Sequence, residues 1–369
     1  MTVRTSHSLG AGRRALVTGA IAAGFLLSGC TSNATPAATS APATSSGTSA
    51  AVASSTPTGS TGAGGGDANS APGKKVKIVF SGPVADHGFL AAINSFAKKQ
   101  AALYPDVEFK VLEAAADAPS QIAAVETAIA EKPDALIIFP QDGDQLTGIG
   151  KKAMEAGIPV INLDRKFNDA SAYRMFLAGD NYKVGYNAGI YIGKKLKGKT
   201  DAVIGEITGI PTLALTKERS QGFKDALAIY GLKVTNQVAA GFTVQSGQSA
   251  MANLLAAQPK LDAVFNHDDD QNIGSEAAAK QANRTEFFIV GNAASNIMLK
   301  HIKDGDARIE ADVTFTPAIS ATAVSMARLI AQGRTMPDLA GLPLPSYMLI
   351  DSELVTKDNV DKFTKFGWD

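Results

Sequence analysis

Asp164 and Arg165 stand side by side at the end of an apolar run, "IPVINLDRKF". An acid beside a base can do two different things there. The pair can form a surface ion bridge on a loop, or it can offer acceptors and a fork of donors at the mouth of a cleft. Other apolar runs end in a similar way. "KIVFSGPVADHGF" runs into Asp86, His87 and Phe89, and "GEITG" is followed by a loop and then Arg219. "NQVAAG" leads to Phe242, "AVFNH" to Asp268 and "FFIVG" to Asn292. Acids, arginines, an amide and aromatic rings gathered at such ends suit a neutral polyhydroxy ligand. Carboxylates accept from its hydroxyls, arginines donate to them with charge-assisted strength, and rings cover its C–H faces. Phe89 and Phe242 can equally be core residues, and Arg219 can pair with a neighbouring acid; the strand-end position is what favours the cleft.

The elements that would carry these residues alternate strand and helix periods. "KVKIVFSG", "VEFKVLEAA", "ALIIFP", "IPVINLD" and "YRMFLAGD" read as strands, separated by helical runs such as "SQIAAVETAIAEK". The pattern then restarts with "DAVIGEITG", "LKVTNQVAA", "LDAVFNH", "EFFIVGN" and "ARIEADVTF", again with helices between. Apolar strands alternating with helices indicate parallel sheets covered on both faces. The fold class expected is α/β, with two Rossmann-like, doubly wound lobes. Ligands of open parallel sheets sit outside the carboxyl ends of the strands, so facing lobes would hold one between them.

The segments "IPVINLDRKF", "GDNYKVGYNAGIYIGKKL", "KERSQGFKDAL", "LDAVFNHDDD" and "FFIVGN", in that order and spacing, resemble the ribose/galactose-type substrate-binding proteins of bacterial ABC sugar importers. These are type I periplasmic binding proteins. The resemblance implies two lobes joined by three crossovers and closing over one ligand. The contacts it implies are Asp86, Phe89, Asp164, Arg165, Arg219, Phe242 and Asp268, with hinges near Gly179–Asp180, Phe315 and Leu344. It implies lobes over 75–179 plus 316–343 and 180–315 plus 344–369, a monosaccharide or polyol ligand, and an ABC permease as partner. A sensory receptor of the same fold is the alternative. The chain departs from the ribose-type pattern at Asp268, where those proteins usually carry Asn. It departs again at Ala293, where they carry Asp, and at His87, which interrupts their Pro-aromatic pattern. Ribose itself is therefore not the expected cargo.

Several function classes are disfavoured. No G-x-G-x-x-G follows the first strand, "GIGKK" and "GIYIGKK" lack phosphate-loop spacing, and there is no G-x-S-x-G, so an enzyme is not expected. "HDDD" (267–270) resembles a metal cluster, but successive residues of an extended segment point to opposite sides. No metal or cofactor is expected; at least one of Asp269 and Asp270 should cap the next helix. Trp368 reads as packing. The chain carries 35 basic and 35 acidic residues with no basic run, which argues against nucleic acid.

The N-terminus reads as an address. Arg4, Arg13 and Arg14 precede the apolar "ALVTGAIAAGFLL", a secretory signal over 1–29 that leaves Sec or Tat export open. "LSGC" resembles the bacterial lipobox, which implies cleavage before Cys30, the chain's single cysteine, and a diacylglyceryl thioether on it. Residues 30–74 are rich in Ser, Thr, Ala, Gly and Pro and read as a disordered tether of roughly 35 Å reach. The expectation is a lipid-anchored monomer on the extracytoplasmic face of the cell membrane.

Overall fold

The computed structural model describes residues 69, 71–113, 115–305, 308–335 and 343–369. Cys30, the signal segment and nearly all of the tether lie outside the described residues.

The first sheet is built from β1 (Val76–Ser81), β2 (Val107–Val111), β3 (Ala135–Ile138), β4 (Val160–Leu163), β5 (Met175–Gly179) and β11 (Tyr347–Ile350), in the order β11-β5-β4-β3-β1-β2. All its pairings are parallel. The second contains β6 (Ile204–Thr208), β7 (Asn236–Ala239), β8 (Ala263–Asn266), β9 (Phe288–Ala293), β10 (Ile309–Thr314) and β12 (Leu354–Thr356), in the order β12-β10-β9-β8-β6-β7. Only β12 runs antiparallel there. The central strands β3, β4 and β5 are buried along their whole length, which explains their unbroken apolar sequence. Edge strand β2 alternates between half-buried and exposed residues.

Both sheets reverse their winding at one point, between β1 and β3 and between β6 and β8. Such switch points open a crevice at the carboxyl ends of the strands. Helices α1 (Gly88–Ala102), α2 (Ala118–Ala130), α3 (Gly143–Glu155) and α9 (Ile319–Ala331) cover the first sheet. Helices α4 (Asn181–Lys195), α5 (Ala214–Ala228), α6 (Val244–Ala257), α7 (Asp269–Gln281) and α8 (Asn296–Asp304) belong to the second lobe.

The chain crosses between lobes after β5, after β10 and between β11 and β12. The first two crossings fall at Gly179–Asn181 and beside Phe315, where expected. The third falls between Ile350 and Leu354 rather than near Leu344, because Tyr347–Ile350 adds a parallel edge strand to β5 before the chain leaves the first lobe. Leu344 is buried in the first lobe, and its carbonyl accepts from Arg174 Nη2 at 2.8 Å. Neither β11 nor β12 was legible from periodicity, since "YMLI" is half exposed and "LVT" has three residues.

One buried ion pair fastens the returning helix α9. Arg328 Nε and Nη2 donate to the two carboxylate oxygens of Asp106 at 2.9 and 2.6 Å. The guanidinium also lies 4.3 Å from the Tyr104 ring, and it donates to the carbonyls of Asn69 and Ala71. Arg328 holds the Asp106 carboxyl well below the usual carboxylate range. Removing one partner of a buried pair leaves an uncompensated charge, so Arg328→Ala should cost about 3–5 kcal/mol of stability. Urea unfolding should report this as a lower midpoint; an unchanged midpoint would show that the pair does not hold α9.

Candidate functional site

The two crevices face each other across a cavity of about 360 Å³, counting its open mouth. Eight of the nine residues expected at a ligand line it: His87, Phe89, Asp164, Arg165, Arg219, Phe242, Asp268 and Asn292. Asp86 does not. Its carboxylate is largely exposed and accepts from Nδ1 of the buried His87 ring at 2.6 Å. His87 lines the cavity and Asp86 stands outside its lining, although the Asp86 charge still acts on Arg165.

Alternation alone would send Asp164 and Arg165 apart, yet both reach the cavity. The reason is a γ-turn. Asp164 has a φ of 65° and the Arg165 amide donates back to the Leu163 carbonyl at 2.8 Å. Such a positive φ is costly for a non-glycine residue and marks functional sites. Asn162 staples the loop, its Nδ2 donating to the Arg165 carbonyl at 3.0 Å and its Oδ1 accepting from the Phe167 amide at 2.8 Å. Among the described residues no ion pair joins Asp164 to Arg165. Instead Arg165 Nη1 donates to the Gln141 carbonyl at 2.6 Å, and its guanidinium lies 5.2 Å from the Phe139 ring. The surface-bridge reading of "LDRKF" fails on this geometry.

The second lobe repeats the device. Arg219 Nε donates to Asn181 Oδ1 at 2.8 Å and Nη1 to the His267 carbonyl at 2.7 Å, while its guanidinium stacks 4.6 Å from Phe315. It reaches this place because α4 and α5 pack very closely: a Cβ on Gly185 would fall 1.8 Å from the Arg219 carbonyl oxygen. Phe242 also has a positive φ, 66°, held by its amide donating to Gln271 Oε1 at 2.7 Å. Asp268, not Asp269 or Asp270, is the N-cap of α7, accepting from the Gln271 amide at 3.2 Å. The helix begins one residue earlier than expected, so the capping assignment moves to Asp268. Asp270 instead accepts from the Gly88 amide across the cleft at 2.9 Å, and Asp269 from the Ser295 amide at 2.7 Å.

The electrostatics follow from burial. Desolvation raises the Asp164 carboxyl against the pull of Arg165 and Arg219. It raises Asp268 well above the usual range, with Asp270 and Asp269 adding repulsion. Arg165 is lowered by the same desolvation, and Arg219 is lowered to about 10. Three buried atoms of these lining residues, Asp164 Oδ1, Arg165 Nε and Asn292 Oδ1, have no hydrogen-bond partner in the protein. Buried polar atoms are almost always paired, so such a cluster around a cavity points to partners supplied by a ligand.

Leu90, Phe139 and Leu215 also line the cavity without a separate sequence signal, together with Ala293, which stood out only as a departure from the ribose-type pattern, and Phe315. Phe139 follows a strand directly and could have been found by its position, whereas Phe315 was legible only as a hinge neighbour. The lobes touch over the cavity. His87 stacks on Phe242 at 6.2 Å, and Phe89 of the first lobe meets Trp368 at 5.7 Å. Trp368 packs as expected, but it packs across the cleft.

The fold and site define a hinged two-lobed receptor with its cavity at paired strand ends. The chain matches the family described as "Periplasmic binding protein domain" over residues 78–335, and it belongs to that family. It is 32% identical to the ribose import binding protein of Salmonella typhimurium strain LT2, over 60% of this chain and 74% of that protein. It is 28% identical to that of Bacillus subtilis strain 168, over 75% of this chain and 88% of that one. Among solved structures, an ABC transporter solute binding protein from Bacillus halodurans C-125 with bound myo-inositol is 26% identical. Its TM-score is 0.71, covering 79% of this chain and 98% of that one.

Behind the cavity lies a buried carboxyl pair. Asp312 Oδ1 accepts from the amides of Ala293 and Ala294, both at 3.1 Å, and these residues have φ values of 141° and 56°. The Asp312 and Asp269 carboxyls meet beside Gly291, and burial raises both, Asp312 furthest. Two such carboxyls must share a proton. Unfolding releases that proton above the ordinary aspartate range, so the pair stabilises the fold at low pH and the contribution is lost as pH rises through its raised pKa. In Asp312→Asn an amide replaces the shared proton as donor. The variant should flatten the fall of Tm with rising pH; an identical pH profile would show that the pair does not carry it.

Proposed function

We propose that this chain captures a monosaccharide or polyol between its lobes and delivers it to the permease of an ABC importer. The observation that carries this reading is the buried set of unpaired donors and acceptors around a cavity walled by aromatic rings. A hydroxyl donates to one group while accepting from another, so a polyhydroxy ligand can satisfy Asp164, Arg165 and Asn292 together. The relatives matched over most of their length are named as import binding proteins for ribose, and the structural relative holds myo-inositol. Nothing in the site supplies a nucleophile activated by a base, so we read it as a binder and not a catalyst. Periplasmic binding proteins are themselves standing examples of hinge closure around a ligand. Closure is here the state a permease would recognise.

Thermal-shift screening of residues 69–369 against pentoses, hexoses, pentitols, hexitols and inositols tests the reading. A ligand at a hundred times its dissociation constant adds about 2.7 kcal/mol of apparent stability. Trp368, the only tryptophan in the chain, bridges the lobes and should change its emission with the same ligand. Arg165→Ala should keep the fold and weaken that ligand at least tenfold, since a charged hydrogen bond contributes about 1.5–3 kcal/mol. No shift with any carbohydrate would overturn the sugar reading, and undiminished binding by Arg165→Ala would remove that residue from the site.

We further propose that Cys30 carries the lipid and residues 30–74 the tether, holding a monomer at the extracytoplasmic face. Among the described residues no helix is long and apolar enough to cross a membrane. Dual or triple acylation anchors stably where a single chain does not. The wild type should incorporate labelled palmitate in cells and Cys30→Ala should not; equal labelling of the two would refute the anchor.

A further inference from the structure

One wall of the cavity is built from apolar side chains. Phe89, Ala293 and Phe315 all line the cavity and are buried. The Phe89 ring lies 5.6 Å from that of Phe315 and 5.7 Å from that of Trp368, which backs the wall from outside the cavity. The main-chain groups of Ala293 are both committed elsewhere. Its amide donates to Asp312 Oδ1 at 3.1 Å, and its carbonyl accepts from Trp368 Nε1 at 3.0 Å. The unpaired polar atoms belong instead to Asp164, Arg165 and Asn292.

A hydroxyl pressed against this wall would give up water and gain nothing, a penalty that buried polar groups do not escape. A methyl or methylene there would gain by leaving water. Resting on the sugar or polyol reading above, we infer that the ligand presents a hydroxyl-free carbon to Phe89, Ala293 and Phe315. The cargo class is then a deoxy sugar or deoxy polyol, oriented with its remaining hydroxyls toward Asp164 and Arg165. Apolar pockets discriminate against one added hydroxyl by factors on the order of a hundred at most, which sets the scale of the effect.

Calorimetric titration of the folded chain with matched pairs tests this. Each hexose and hexitol is compared with its terminally deoxygenated counterpart: galactose with fucose, mannose with rhamnose, glucose with quinovose, and the corresponding alditols. In the pair that binds, the deoxy member should bind at least tenfold tighter. Ala293→Ser, which places a hydroxyl on the wall, should narrow that preference to less than threefold. Equal or tighter binding of the hydroxylated member overturns the inference while leaving a sugar receptor. A preference that Ala293→Ser does not change overturns it too, because the wall is then not its source. If the variant does not fold, the wild-type comparison decides alone. Should no member of any pair bind, the carbohydrate reading itself fails and the inference falls with it.

Discussion

The structure depends on keeping buried hydrogen-bonding groups apart from one another. Asp164, Arg165, Arg219 and Asp268 are each nearly inaccessible, and opposite charges so close would pair if their side chains were free to meet. They are prevented by fixed attachments. Arg165 is drawn to the carbonyls of its own lobe, and Arg219 to Asn181 and the His267 carbonyl. Asp164 is held in a γ-turn whose strain the Asn162 staple offsets. Charges held unpaired in this way are preorganised donors and acceptors, and a ligand that matches them meets little reorganisation cost.

The lobes use one device twice. Each presents an arginine whose plane lies against a phenylalanine, Phe139 in the first lobe and Phe315 in the second, and whose donors are partly spent on main-chain carbonyls. Sheets with the same winding order place such residues at equivalent crevices, so facing the lobes brings the two arginines into one cavity. Phe315 has a double position, beside the second crossing and on the cavity wall. Any hinge rotation there must move a ring that also touches Phe89 of the other lobe. Ligand occupancy and lobe geometry are thereby coupled through packing.

Below the cavity, polar networks replace a purely apolar floor. His267 Nε2 lies 3.0 Å from Glu206 Oε1, which also accepts from Ser220 at 2.6 Å, and all three side chains are buried. The Asp269–Asp312 pair supports the strained Ala293–Ala294 turn in the same lobe. Buried polar contacts of this kind fix the arrangement of the elements behind the cavity wall.

Much of this was legible in one dimension. Apolar runs and helical periods determined the two α/β lobes, because a parallel sheet buried on both faces demands unbroken apolar strands. Strand ends determined most of the site, because that is where such sheets open. The residues that periodicity misjudged turn on contacts between segments distant in the chain. Asp86 stays at the surface while the His87 ring it holds lines the cavity and stacks on Phe242 across it. The third crossing lies beyond Ile350 because β5 offers an open edge for another strand, which no local pattern reports. Asp268 acts as both cap and cavity wall because α7 starts at the cleft. The sequence by itself determined which chemistry the chain carries and on which strands; only the tertiary structure decided which groups stay unpaired, because that depends on partners that neighbouring strands and helices bring in from elsewhere in the chain.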